Sequence, residues 1–187
     1  MNILTKTALI IASVIGVVPA FDADACTRVV YAGKNGNVVT GRTLDWRTPI
    51  PTSLRIMPRG ISRVSYDSPD GIQWVSRYGS VVSIGYDMGA SEGLNEKGLC
   101  VNCLYLPGTV YTKANETRKK MSSSVWVMYV LDNFATVDEA VAELSKDRFY
   151  IDAPDMPEGS AATLHMAISD ATGNNGIIEY IDGELSI

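Results

Sequence analysis

The chain is poor in histidine and has no cluster of positive charge, and each shortage excludes a class of function. A single histidine, His165, in 187 residues excludes a metal site built from several histidines within the chain. A Ser-His-Asp triad would depend on that one residue near the C-terminal end. A net charge of −5 without basic clusters argues against nucleic acid as a partner. A catalytic base is therefore expected to be something other than histidine.

Cysteine is also scarce, and its count is odd. Three cysteines leave at least one thiol without an intramolecular partner, even where an oxidising compartment favours disulfides. Cys100 and Cys103 form a C-x-x-C pair in a strand-like run, where positions three apart point to opposite faces. We interpret them as structural cysteines. A thiol-disulfide or binding module that uses Cys100 and Cys103 is the alternative.

What the composition does contain is typical of a folded globular domain. Apolar residues make up 46% and charged residues 20%, which is neither a disordered nor a collagen-like composition. The length of 187 residues is that of one domain.

Residues 1–25 have the layout of a secretory signal peptide. Lys6 precedes an apolar run over residues 8–18 that is too short to span a bilayer. Small-residue cleavage patterns end at Ala20 and at Ala25, which leaves room for a short pro-segment. We therefore expect the protein to be exported, to the periplasm or the medium, without a stable membrane anchor.

The strand and turn signals predict mostly antiparallel pairs. Two β-branched runs around an Asn-Gly turn predict a β-hairpin over residues 26–46. A second hairpin is predicted between residues 72–76 and 80–84. Residues 99–106 are predicted to form a buried strand, and the polar residues 113–120 an exposed loop.

Helix signals come next along the chain. The run Ser122–Ser124 can cap a helix that continues to Phe134, and the spacing of Thr136 and Glu139 is that of a capping box for a helix ending near Leu144. Strands resume over residues 162–169, which include His165 as an expected core or interface residue, and a last hairpin is expected over 177–187. Strands, two helices and strands in this order predict an α+β domain with antiparallel sheets.

Cys26 is the strongest candidate for chemistry. As the first residue of a processed chain it would carry a nucleophilic thiol and, in its α-amine, a base with a reference pKa of about 7.7–8.0. Arg42 could favour the thiolate by its charge, and Asp45 could hold an ammonium group. The alternatives are a buried or lipid-modified cysteine and a solvated Arg42–Asp45 pair.

Several separated motifs keep one family's spacing from Cys26 to the last residue. They are Cys26-Thr27, Gly41–Trp46, Glu92–Leu99, Leu104–Pro107 and Thr163–Asp170. In these motifs the chain resembles the choloylglycine hydrolase and penicillin V acylase family. The resemblance implies an N-terminal nucleophile hydrolase with an αββα sandwich. Residues 26–187 would be the N-terminal part of the hydrolase domain, so we expect the sandwich to be incomplete at the C-terminus.

The resemblance also implies roles for four residues. Cys26 would be the nucleophile with its own amine as base, Asp45 would bind that amine, and Arg42 would tune the thiol. The backbone N–H of Tyr105 would contribute to an oxyanion hole, which stabilises the charge that develops in acyl transfer. The implied reaction is hydrolysis of a linear amide C–N bond through a thioester, and it needs neither a metal nor another cofactor.

The implied substrates are N-acyl amides, either conjugated bile salts or penicillin V-like compounds. Tyrosine at position 105 favours the acylase side of the family. Trp46, Tyr86, Met88 and Tyr105 could line an apolar site, or could equally be core residues. The implied partners are a small-molecule amide and, at full length, further copies of the chain. A truncated, inactive or partner-dependent fragment is the alternative.

Overall fold

The computed structural model of the chain describes residues 26–66, 68–114 and 117–187. The predicted signal peptide, residues 1–25, lies outside the described residues. Among the helices that are described, none is long and apolar enough to cross a membrane.

Strands make up most of the regular structure, and two helices interrupt them late in the chain. The strands are β1 (Arg28–Ala32), β2 (Val38–Arg42), β3 (Thr52–Met57), β4 (Ser62–Val64), β5 (Gln73–Val75), β6 (Ser80–Gly85), β7 (Gly89–Asn95), β8 (Cys100–Tyr105), β9 (Lys119–Ser122), β10 (Phe149–Asp152), β11 (Leu164–Ser169), β12 (Asn175–Ile181) and β13 (Glu184–Ser186). The helices are α1 (Ser123–Asn133) and α2 (Val137–Leu144).

A seven-stranded sheet is the frame of the molecule. Its strand order is β13-β12-β11-β8-β7-β6-β3, and every neighbouring pair is antiparallel. Three smaller pairs accompany it: the antiparallel hairpins β1–β2 and β4–β5, and the parallel pair β9–β10. The predicted α+β class with antiparallel strands is confirmed.

Helix α1 covers one face of the sheet and forms the core with it. The Ser122 hydroxyl accepts a hydrogen bond from the Ser124 N–H at the start of this helix, as its sequence predicts. A side chain at Gly93 would collide with Leu131 of α1, since an added Cβ would lie 2.5 Å from the Leu131 Cδ1. The fully buried core side chains include Val82, Leu99, Val101, Met121, Trp126, Leu131, Met166 and Ile168.

The opposite face of the sheet carries the β1–β2 hairpin and is otherwise poorly covered. Arg28 reaches from the hairpin to the sheet, donating to Asn102 at 2.8 Å and to Ser169 at 2.8 Å. On the same face Leu54 is 77% and Ile56 is 83% exposed at the edge strand β3. We call the exposed apolar side chains of this side, Leu54, Ile56, Val81, Leu94 and Ile177, the outer face.

The first predicted hairpin is confirmed, and the second is wrong. Residues 73–75 do form a strand, but β5 pairs with β4, whereas β6 pairs with β3 and β7. Between β5 and β6 the chain turns towards α1, because the backbone N–H groups of Arg77 and Tyr78 donate to the Asp132 carbonyl at 2.8 and 3.2 Å. That contact joins residues far apart in sequence, so local turn signals do not reveal it.

The predicted loop over residues 113–120 needs a smaller correction. Lys119 and Lys120 begin β9, which pairs in parallel with β10. The strand is short and polar at its start, so it lacks the alternation of apolar residues that would predict a strand. Both helices and the last hairpin follow the prediction closely.

Candidate active site

A cavity of about 120 Å³ lies at one end of the large sheet. It is enclosed by the residues that flank the β1–β2 hairpin, the β6–β7 turn, the start of α1, a loop over residues 154–162 and parts of the strands β7, β8 and β11. Its lining includes Cys26, Arg42, Leu44, Asp45, Trp46, Ile50, Tyr86, Met88, Ser91, Cys103, Tyr105, Ser123, Ser124, Met156 and Leu164. All four predicted site residues and the three predicted apolar neighbours therefore border one space.

Cys26 is held beside Asp45 by Thr27, which precedes β1, and Thr43, which follows β2. The Thr27 N–H donates to the Thr43 hydroxyl at 2.9 Å, and the Thr43 N–H donates to the Thr27 carbonyl at 2.9 Å. With these two hydrogen bonds in place, the Cys26 Sγ lies 3.8 Å from the Asp45 backbone carbonyl oxygen. The Thr43 hydroxyl in turn donates to the Asp45 carboxylate at 2.6 Å. The half-buried thiol and the carboxylate thus share one local framework.

Arg42 supplies positive charge at the cavity wall. It is the last residue of β2, and its side chain is only 7% exposed. One terminal nitrogen donates to the Cys103 carbonyl at 3.2 Å, and the other makes an ion pair of 3.2 Å with Glu92. A guanidinium held in this way stabilises negative charge in the space that it borders, and a cysteine thiolate is such a charge.

Two aromatic rings form another wall. Trp46 and Tyr105 pack edge to face, with centroids 4.9 Å apart and an interplanar angle of 78°. The Trp46 indole N–H donates to the Glu158 carboxylate at 2.9 Å. Tyr105 ends β8 opposite Leu164 of β11, so the middle of the sheet fixes one ring and the loop over residues 154–162 fixes the other.

The two cysteines of the C-x-x-C pair point to opposite faces, as predicted. Cys103 is buried and lines the cavity, whereas Cys100 contacts Asn102 under the hairpin at 3.6 Å. Burial raises the pKa of the Cys103 thiol to about 12, although the nearby Arg42 charge opposes the shift. Neither cysteine is in a disulfide, and their geometry does not favour the thiol-disulfide alternative.

His165 lies away from this cavity. It is half-buried in β11, and its Nδ1 has no hydrogen-bond partner among the described residues. Burial lowers the pKa of His165, and Glu179 offsets only part of this effect. Across residues 26–66, 68–114 and 117–187, no group of three or more His, Cys, Asp or Glu side chains could hold a metal ion.

Sequence reasoning missed several residues of the site. Ser123 and Ser124 line the cavity from the helix start that they were expected only to cap, and Glu158, from a loop without any motif, contacts the cavity wall through Trp46. Glu92 belongs to a recognised motif, but its ion pair with Arg42 joins strands 50 residues apart in sequence. No local signal could have identified these contacts.

The family is decided by a match that begins at the candidate nucleophile. Residues 26–187 match the family model of linear amide C–N hydrolases, the choloylglycine hydrolase family. The chain belongs to this choloylglycine hydrolase family. It is also 40% identical over 171 residues to a penicillin V acylase of Pectobacterium atrosepticum, covering 86% of this chain and 45% of that protein. Identity to a bile salt hydrolase/transferase of Bifidobacterium longum is 25% over 164 residues, covering 84% and 50%.

Solved structures of choloylglycine hydrolase relatives have the same fold. A penicillin V acylase from Agrobacterium tumefaciens superimposes with a TM-score of 0.78 at 43% identity, covering 85% of this chain and 48% of that one. A mutant of conjugated bile acid hydrolase from Clostridium perfringens, at 24% identity, superimposes with a TM-score of 0.70 over 87% of this chain and 50% of that one. The N-terminal nucleophile hydrolase-like fold is thereby confirmed. The chain spans about half the length of the curated relatives that it matches.

Proposed function

We propose that the protein is an exported cysteine amidase that hydrolyses N-acyl amides through a thioester. The observation that carries this proposal is the convergence of Cys26, Arg42, Asp45 and Tyr105 on one cavity in a member of a linear amide C–N hydrolase family. The reaction requires processing before Cys26, because only a free α-amine at that residue can serve as the base.

The proposed chemistry has two halves and balances without a cofactor. The Cys26 amine takes the thiol proton while sulfur attacks the amide carbonyl, and the C–N bond breaks as the proton passes to the leaving amine. Water, deprotonated by the same amine, then attacks the thioester carbonyl. The C–S bond breaks, the acid product leaves and the thiol regains its proton.

Arg42, Asp45 and Tyr105 would stabilise the charged groups that take part in the reaction. Arg42 favours the thiolate and Asp45 holds the protonated amine, which fits a carboxylate placed within the same framework as the thiol. The Tyr105 backbone N–H would donate to the tetrahedral oxyanion. The aromatic wall of Trp46 and Tyr105 would contact the apolar acyl group of the substrate. We therefore propose that the preferred acyl group is a penicillin V-like aryl acyl group rather than a bile acid.

A second candidate is a fragment that works only with a partner chain. The outer face supports it, since Leu54 and Ile56 stand 77% and 83% exposed where a folded domain normally buries such side chains. In this case the same cavity would become active only after a further layer covers the outer face. We also propose homo-oligomers of the full-length protein.

Product analysis by mass spectrometry tests the function. The processed chain is incubated with penicillin V and with glycocholate, alone and together with the separately expressed C-terminal half of the Pectobacterium acylase. Turnover by the chain alone supports the amidase, and turnover only in the mixture supports the partner-dependent form. Cys26→Ser should abolish turnover in either case, whereas the matched Cys100→Ser control should retain it. Unaltered turnover in Cys26→Ser would refute the assignment.

Processing and export are tested separately. The protein is isolated from a secreting host, and its N-terminal sequence and intact mass are measured. A mature chain that begins at Cys26 supports the proposed cleavage after residue 25. A stable and active chain that begins at Phe21 would overturn it, because its Cys26 nitrogen would be a peptide nitrogen without basic character.

A further inference from the structure

Two pairs of strand neighbours face each other where the hairpin lies on the sheet. Arg28 is directly opposite Arg42 across β1 and β2, and Glu92 is directly opposite Asn102 across β7 and β8. Each arginine contacts one member of the second pair: Arg42 lies 3.2 Å from Glu92, and Arg28 lies 2.8 Å from Asn102. Asn102 donates to the same Glu92 oxygen at 3.1 Å, which joins all four side chains.

Glu92 is the one acidic residue of the four, which together carry a net charge of +1. The Arg42 side chain is only 7% exposed, so its guanidinium needs a hydrogen-bond acceptor at a fixed place. The Glu92 oxygen is that acceptor, at 3.2 Å from Arg42. The position of this oxygen therefore determines where the Arg42 guanidinium lies.

The hydrogen bonds also determine the orientation of the Asn102 side-chain amide. The Asn102 amide oxygen accepts from Arg28, so its NH₂ group must face Glu92. A flipped amide would place its donors against the guanidinium and its oxygen against the carboxylate. The Glu92 oxygen is thus held by Asn102 on one side and is offered to Arg42 on the other.

Arg42 is the member of the four that borders the cavity containing Cys26. Glu92 and Asn102 line the separate groove between the hairpin and the sheet, and Arg42 lines both spaces. We propose that Glu92 is a positioning residue, fixed by Asn102, that holds Arg42 in place at the wall of the cavity that contains Cys26. The inference rests on the proposed function for the role of Cys26, but not for the contacts.

Two conservative substitutions separate position from charge. Glu92→Asp keeps the charge but shortens the side chain by one methylene, which withdraws the carboxylate from Arg42. Glu92→Gln loses the charge but keeps an acceptor oxygen at the same reach. We expect Glu92→Asp to lower kcat on penicillin V by roughly tenfold or more, with KM changed less than about threefold. Glu92→Gln should keep a kcat within about threefold of the unaltered chain. Glu96→Asp and Glu96→Gln, in an exposed ion pair with Arg59, are the matched controls.

A second readout needs no turnover. The rate of Cys26 alkylation by iodoacetamide at pH 7.5 is followed by mass spectrometry of the Cys26 peptide. Glu92→Asp should slow it by about threefold or more, because the displaced guanidinium no longer stabilises the thiolate, and Glu92→Gln should not slow it. In an Arg42→Ala background, Glu92→Asp should change the rate less than about twofold, because its effect passes through Arg42.

The outcomes distinguish the two proposals. Equal effects of Asp and Gln at position 92, or the same slowing with and without Arg42, would overturn the positioning role. If the chain hydrolyses no amide while the alkylation pattern holds, the proposed function fails and the inference stands. If the chain hydrolyses an amide but neither Glu92 substitution changes kcat or the rate of alkylation, the inference fails and the proposed function stands.

Discussion

The Trp46 indole N–H donates a hydrogen bond of 2.9 Å to the Glu158 carboxylate, which ties the loop over residues 154–162 to the aromatic wall of the cavity. We expect Glu158→Ala to release this loop and to raise KM for penicillin V on the order of threefold to tenfold, the range of one hydrogen bond. Because Glu158 does not contact the reacting groups, kcat should stay within about twofold. Steady-state kinetics measures both.

Two controls accompany this change. Glu158→Gln keeps an acceptor for the indole N–H and should keep the original KM. Glu184→Ala removes an exposed carboxylate from β13, away from the cavity, and should have no effect. A raised KM in Glu184→Ala, or none in Glu158→Ala, would contradict the role of the loop contact.

The free thiols of Cys26 and Cys103 should differ in reactivity. Because burial raises the pKa of Cys103 to about 12, its thiol stays protonated at pH 8 and does not react. Iodoacetamide at pH 8, followed by peptide mapping, should label Cys26 rapidly in the folded chain and Cys103 only after guanidinium denaturation. Labelling of Cys103 as fast as Cys26 in the folded chain would show that the cavity wall opens.

The buried Asp132 carboxylate should be a strong determinant of stability. It is fully buried in α1 and accepts hydrogen bonds of 2.7 Å from Arg63 and from the Trp74 indole. Asp132→Ala leaves both donors without this acceptor, and we expect it to lower the free energy of unfolding by about 3–5 kcal/mol. Asp87→Ala removes an exposed ion pair with Arg55 and should cost less than about 1 kcal/mol. Urea denaturation compares the two, and equal losses would contradict the difference in burial.

His165 should make the fold sensitive to mild acid. Burial lowers its pKa in the folded chain below the unfolded value of 6.5. The unfolded chain then binds the His165 proton more tightly than the folded chain does. The contribution of neutral His165 to the free energy of unfolding is therefore complete above pH 6.5 and is lost as the pH falls through the folded pKa. The free energy of unfolding, measured by urea titration between pH 7.5 and 5, should fall less steeply in His165→Leu. An unchanged slope would exclude His165 as the source.

Local signals predicted the parts of the fold that depend on neighbours in sequence. The Asn-Gly turn of the first hairpin is real, with Gly36 at a φ of +74°, and the Thr136 hydroxyl accepts from the Glu139 N–H at 3.2 Å as a capping box requires. The pairing of β5 with β4 was beyond such signals. Arg63 of β4 and Trp74 of β5 both donate to the buried Asp132 carboxylate, which lies 69 and 58 residues away in sequence.

The same difference between local and long-range contacts applies to the candidate site. Cys26, Arg42 and Asp45 could be found because they lie on one hairpin, and a family motif identified Tyr105. Glu92 and Glu158 could not be assigned a role, since only the folded sheet brings them to Arg42 and Trp46. Sequence patterns identified the groups proposed to react, and the three-dimensional structure was needed to identify those that hold them.

The contact of Arg28 with Ser169 has a consequence for the order of folding. It joins residues 141 apart, so this contact between the hairpin beside Cys26 and the sheet forms only after β11 has been synthesised. Closing so long a loop is slow relative to local hairpin and helix formation. The cavity that contains the thiol is lined by Leu164 of the same strand, so it is completed late, and an unfinished chain carries the proposed nucleophile in an incomplete site.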